Sequence, residues 1–162
     1  MNANHANMTR GSYRRLGVEL AIDFGVMYLV MYAMIATLDD FYPNLNNVYM
    51  TLMMVTPMAI VMLIAMRSMF PMPRINVVIG AAAAVIFAGS FLGMRLQAGV
   101  GDGEFLRSMI PHHSGAILMC REAALTDPEI VMLCTQIVED QQREIDQMNA
   151  ILERLARPDA SN

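Results

Sequence analysis

The sequence predicts an all-α fold in two parts: three transmembrane helices within residues 1–98, then an antiparallel helical hairpin within residues 99–162 that makes half of a four-helix bundle. Three observations carry this expectation. Hydrophobic residues make up 56% of the 162-residue chain, above the share of an ordinary soluble domain, and the excess is concentrated in the first half. Charge is divided the other way: residues 1–95 hold six Arg and four acids, whereas residues 96–162 hold five Arg and eleven acids. The acidic half also contains two amphipathic runs joined by the short turn signal TDPE. A nearly charge-free half and an acidic half belong in two environments. The chain has no Lys and no basic stripe, which argues against nucleic acid as a partner. Two Cys are too few for a disulfide scaffold.

The three apolar segments run from about Leu16 to Leu38, from Val48 to Met66, and from about Ile75 to Met94. Each is near the ~20 residues that cross a bilayer as a helix. Glu19 and Asp23 interrupt the start of the first, and no A-x-A-like cleavage site follows it, so it reads as retained rather than as a signal peptide. Arg10, Arg14 and Arg15 flank the first segment and Arg67 and Arg74 lie between the second and third, while the DDFYPNLNN loop has no Arg. Positive residues stay inside, so the N terminus is expected in the cytoplasm. The hairpin is then periplasmic or extracellular, on a multi-pass protein of a bacterial inner membrane.

Small residues recur in the third segment at Gly80, Ala84 and Ala88, and Gly89 and Gly93 form a GxxxG pair. Such stripes let backbones approach in lipid, between copies or within one chain. Methionine is abundant, with 18 in the chain. Met50, Met53, Met54, Met58, Met62, Met66, Met69 and Met72 lie in the second segment and its flank, with steps of three and four keeping most on one stripe, and Met27, Met31 and Met34 continue the line of Glu19 and Asp23 in the first. A thioether ladder ending in carboxylates is one reading. Packing methionines and a snorkelling pair of Arg15 with Glu19 are the other. Met1, His5 and Met8 sit in an N-terminal tail expected to be disordered.

GVGDG at 99–103 separates the third span from the hairpin, with Asp102 placed to cap the next helix. That helix is expected to reach about Leu125, and Thr126 with Glu129 has capping-box spacing for the last one, which runs to about Ala156. A reversal near Asp127 sets Cys120 opposite Cys134, His113 opposite Gln141, and Met109 opposite Ile145. Met109, His113, Ala116 and Cys120 then share a seam with Cys134, Ile137, Gln141, Ile145, Met148 and Leu152. Two helices bury too little alone, so a second copy is expected to complete a four-helix bundle.

The stretch MIPHHSGAILMC concentrates metal-binding side chains. Adjacent His112 and His113 point about 100° apart on a helix. Each gathers its own sulfur neighbours: Met109 and Met119 for His112, Met109 and Cys120 for His113. Imidazole with soft sulfur suits Cu(I) first and Zn(II) second. Pro111 frees a carbonyl and is expected to kink the helix toward a common site. The alternative is a paired core histidine beside a surface one. Cys120 and Cys134 admit three readings: buried thiols, a disulfide, or a dithiolate metal site.

FLRSMIPHHSGAILMC, then DPEI, then IVEDQQREIDQMNAIL resembles the domain of unknown function 305 family over about 55 of the 162 residues. Phe105, Met109, His112, His113, Ala116, Met119, Gln141, Glu144, Ile145 and Met148 match its pattern. The resemblance implies a ferritin-like helical bundle, and the copper-binding members imply copper for Met109, His112, His113, Met119 and Met148. Longer or paired domains in that family favour a dimer here. Cys120 often corresponds to a small residue there, so no role carries over to it. The Glu-x-x-His motif of di-iron bundles is absent. The candidate metal set is therefore Met109, His112, His113, Met119, Cys120, Cys134, Glu144 and Met148. The expected function is membrane-anchored capture, buffering or handover of copper, with zinc as the second metal. No nucleophile–base set or nucleotide loop points to an enzyme. A transporter component using the methionine stripe, or an assembly or sensory module, are the alternatives.

Overall fold

The computed structural model describes the backbone of residues 3–157 and the side chains of residues 11–157. Met1 and the C-terminal residues 158–162 lie outside the described residues, as do the side chains of His5 and Met8. Among the described residues all regular structure is helical: α1 Ala3–Val30, a 3-10 turn Leu38–Asp40, α2 Leu45–Ala65, α3 Pro73–Arg95, α4 Asp102–Glu122 and α5 Pro128–Ala156. The chain forms two compact units. One holds Met1–Val30 with Asn46–Ala98, the other Met31–Leu45 with Gly99–Asn162.

In the first unit two helices, α2 and α3, are long and apolar enough to cross a membrane. The expected first span, Leu16–Leu38, is not among them. Helix α1 stops at Val30 rather than Leu38, which leaves only Phe24–Val30 as an uncharged helical run after Arg14, Arg15, Glu19 and Asp23. Met31 and Met34 consequently fall beyond the helix end, and the methionine line expected from Glu19 onward is broken.

Helix α2 buries Thr51, Val55, Ala59 and Leu63, one residue every turn. The methionine stripe at Met50, Met54, Met58 and Met62 sits one position over, half-buried to exposed. Leu16, Leu63 and Phe70 form the apolar core of this unit, with Met62 packed against it. Polar contacts sit at the helix ends. Tyr13 donates its hydroxyl to Asn76 Oδ1 at 2.7 Å, and Asn76 Nδ2 donates to the Phe70 carbonyl at 2.8 Å. At the opposite end Tyr49 donates to the Ala98 carbonyl at 2.7 Å. The Tyr49 ring explains Gly93: a Cβ there would lie 3.0 Å from the ring carbons. Gly80 and Gly89 meet nothing comparable, so within the chain the small-residue stripe is used at Gly93.

The second unit is the hairpin plus a segment that the sequence reading assigned to the membrane part. Helix α4 has Gly101, not Asp102, at its N-cap. Helix α5 is capped by Asp127 rather than by a Thr126–Glu129 box: the Asp127 carboxylate accepts from the backbone N–H of Glu129 at 2.9 Å and of Ile130 at 3.1 Å. The Pro128 ring fits the first helical position, where no N–H is needed. Leu106, Ile110 and Ile117 of α4 close on Ile145 and Met148 of α5, and Ala36 and Tyr42 pack against the same cluster. The stripe on α4 is thus one position from the expected one. Met109 and Ala116 flank it instead of filling it.

Candidate metal centre

Three consecutive residues of α4 face three partners. His112 is exposed. His113 is buried at 8% exposure and meets α5. Ser114 is fully buried and meets the 31–45 segment. This follows from the helix itself, which turns successive side chains by about 100°. Helix α4 runs unbroken through Pro111, and the two imidazole centroids stand 6.0 Å apart at 64°. The rings lie side by side with different surroundings.

His113 is held at both ring nitrogens. Nδ1 lies 2.8 Å from the Met109 carbonyl oxygen, one turn back. Nε2 lies 2.7 Å from Glu144 Oε2 on α5. Each ring nitrogen thus has an oxygen within hydrogen-bond distance, one from its own helix and one from α5. The Glu144 side chain is half-exposed, so one end of this pair is dry and the other wet. The expected partner of His113, Gln141, is half-buried alongside. The Cys120–Cys134 pairing follows the expected register, but the ring meets Glu144, three residues beyond Gln141, instead.

The remaining candidates divide. Met109 flanks the core and supplies its carbonyl to His113. Met148 is a core residue at the same level of the hairpin. Met119 is exposed. Cys120 and Cys134 are joined in a disulfide with Cα atoms 5.2 Å apart, so of their three readings the bridge is the one adopted, and neither sulfur is a thiolate in this state. Among the described residues no three His, Cys, Asp or Glu side chains converge as a ready cation site. The pair His113–Glu144 is therefore the nucleus of the candidate centre, and Met109 and Met148 belong to or flank the apolar cluster of the same hairpin.

Sequence reasoning missed Ser114 and Asp40. The Ser114 hydroxyl donates to Asp40 Oδ2 at 2.6 Å and accepts from the Ala36 N–H at 2.7 Å. Thr37 Oγ1 donates to the same carboxylate oxygen at 3.1 Å. Tyr42 donates to Asn149 Oδ1 of α5 at 2.9 Å, and Tyr32 donates to the Tyr42 carbonyl at 2.9 Å. Gly115 lies against the segment, where a Cβ would make ordinary contact with the Met34 carbonyl oxygen at 3.4 Å. A signal existed: Leu106, Ile110 and Ser114 recur every four residues, which places a hydroxyl on the buried stripe and demands a partner for it.

The family model described as domain of unknown function (DUF305) matches residues 94–152. A protein of Acanthamoeba polyphaga mimivirus, described as uncharacterized protein L153, is 35% identical over 119 residues, covering 72% of this chain and 76% of that protein. That is longer than the whole chain from Met94 onward, so the likeness reaches back into the apolar helices. No solved structure matches.

Proposed function

The chain belongs to the domain of unknown function 305 family, and from that premise we propose that its hairpin binds a soft metal ion as cargo, Cu(I) first and Zn(II) second, for capture, buffering or handover at a membrane. One observation carries the reading: a buried imidazole on α4 meets a half-exposed carboxylate on α5 at 2.7 Å, with its far nitrogen anchored on the Met109 carbonyl. An ion can take the place of the proton between Nε2 and Glu144. The Nδ1–H bond to Met109 then serves as the outer contact that fixes ring orientation, as is usual for metal-binding histidines. Opening the gap to two metal bonds of about 2.0–2.2 Å needs roughly 1.5 Å of movement, and Glu144 has the solvent-side freedom to supply it. Met109 and Met148 offer the thioethers that favour Cu(I) over harder ions. His112 and Met119, both exposed, suit a transfer position where cargo enters or leaves.

Membrane anchoring is supported by α2 and α3. With two spans the segment before α2 and the hairpin after α3 share one side of the membrane, and keeping Arg67 and Arg74 inside puts that side, with Arg10, Arg14 and Arg15, outside the cytoplasm. Ile130, Val131, Met132 and Leu133 are all exposed on α5, which supports a second copy completing the bundle. The bond pattern also favours a second reading, in which His113–Glu144 is a cross-hairpin ion pair and the unit serves assembly alone, because both ring nitrogens already have partners.

Cu(I) titration of the full-length protein in detergent against a competing chelator separates the two. The metal reading expects tight binding that weakens at least about tenfold in His112→Ala/His113→Ala, with helix content retained. Equal Cu(I) and Zn(II) binding in wild type and variant overturns it and leaves the assembly reading.

A further inference from the structure

The Cys120–Cys134 bridge is chemistry that the His113 centre does not use. The two residues close the turn end of the hairpin, 14 residues apart in sequence, with Cα atoms 5.2 Å apart. They line a groove of about 430 Å³ whose walls include Leu125, Val131, Thr135 and Glu139. Both are only partly buried, and Thr135 and Glu139 are exposed, so a small reductant reaches the sulfurs. The helices on either side are held without the bridge. The Leu106–Ile110–Ile117–Ile145–Met148 core joins them further along, and Asp127 caps α5 between the two Cys. Cleaving the S–S bond therefore leaves two thiols facing each other on a fixed frame.

We propose that Cys120 and Cys134 form a redox-gated soft-metal site, shut as a disulfide and open to Cu(I) as a dithiol. A small dithiol reductant supplies two electrons to the bridge. The S–S bond breaks, two Cys thiols form, and the reductant closes to its own disulfide. Cu(I) then displaces both thiol protons to solvent and is held by two thiolates, without changing oxidation state. Thiolates are the ligands that select Cu(I) most strongly. With metal–sulfur bonds of about 2.3 Å, the two sulfurs part to no more than about 4.6 Å, which rotation about the Cα–Cβ bonds supplies at the observed backbone spacing. Leu125 and Val131 make part of the groove apolar, and Glu139 adds a carboxylate to its lining. The site shares its ion with the function proposed above but needs neither His112 nor His113.

The test uses full-length protein in detergent, oxidised or reduced with dithiothreitol that is then removed under argon. Cu(I) equivalents are counted against a competing chelator, and Cys120 and Cys134 are probed with iodoacetamide by mass spectrometry. The expected result is one more Cu(I) bound by the reduced protein, with both thiols protected from alkylation when Cu(I) is present. Cys120→Ser/Cys134→Ser should bind as the oxidised protein does, whatever the reductant. The His112→Ala/His113→Ala protein should keep the reductant-dependent equivalent even if its other binding is gone. Equal stoichiometry in both redox states of the wild type overturns the proposal, as does unprotected alkylation. Loss of the reductant-dependent equivalent in the histidine variant overturns it as a separate site.

Discussion

Helix α3 turns Val77, Val78 and Val85 outward at 67–72% exposure. Helix α5 turns Glu139, Asp140, Arg143, Asp146 and Glu153 outward and keeps Ile145 and Met148 in. Both helices satisfy their backbone groups internally, so the contrast lies in where each unit spends its polar side chains. In the first unit the side-chain bonds between elements sit at the ends of α2 and α3, as in Tyr13–Asn76 and Tyr49–Ala98, and the outward flank of α3 is apolar. A lipid-facing surface has that pattern, since hydrocarbon offers no partner to a polar group. In the second unit polar groups enter the interior in pairs, His113 with Glu144 and Ser114 with Asp40, around a small apolar cluster. One unit can lose an outward methyl group at no cost in folding. The other depends on a handful of buried atoms.

The sharpest way to break this comparison is to truncate one residue in each. Ile110→Ala removes a fully buried side chain and is expected to cost the hairpin unit about 2–5 kcal/mol. Val85→Ala should change stability by less than about 0.5 kcal/mol. Denaturant melts of the two variants, followed by hairpin-specific proteolysis, check both. Val85→Arg sharpens the contrast: in lipid it should cost about 2.5–3.5 kcal/mol of insertion, read as a lower membrane-bound fraction. An unchanged fraction would place α3 out of hydrocarbon.

A smaller effect is expected at the clamp. Asp40→Asn keeps the shape but removes the charge from the acceptor of Ser114 and Thr37, a loss of about 1.5–3 kcal/mol. It should free the 31–45 segment to proteolysis while leaving α2 and α3 protected. Smaller again, Gly93→Ala presses a methyl group into the Tyr49 ring and should cost about 1 kcal/mol, whereas Gly89→Ala, with open space around it, should be neutral. Thermal melts in detergent distinguish the pair; equal shifts would mean that Tyr49 moves aside freely.

Much of the second unit was legible because its signals were local. Cys120 opposite Cys134 and the α4–α5 reversal at Asp127 follow from spacing and one turn, and the observed disulfide meets that register. Glu144 was read as a site residue through the family motif, but spacing set His113 opposite Gln141, and the ring meets Glu144 three residues further along. The end of α1 at Val30 was not legible. Nothing in LVMYAMIATL breaks a helix. The break is made by distant groups, with the Ala36 N–H turned from the helix to Ser114 Oγ. A contact across that much sequence leaves no periodic trace. The methionine stripe of α2 was legible as a pattern yet ambiguous in meaning, since its neighbours Thr51, Val55, Ala59 and Leu63 take the buried face.

The bond between Ser114 and Asp40 spans 74 residues of chain, and that distance is also a delay during synthesis. At about 5–20 residues per second, Asp40 is added to the chain about 4–15 s before Ser114. Both apolar helices, α2 and α3, are made in the interval. The first half of the second unit must wait for the second half while the intervening stretch is sorted. Helices α4 and α5 can pair as soon as each appears, because their contacts are close in sequence. Closure of the Asp40 clamp is thus the late event, and a nascent chain halted before α4 carries an aspartate whose partners have not yet been made.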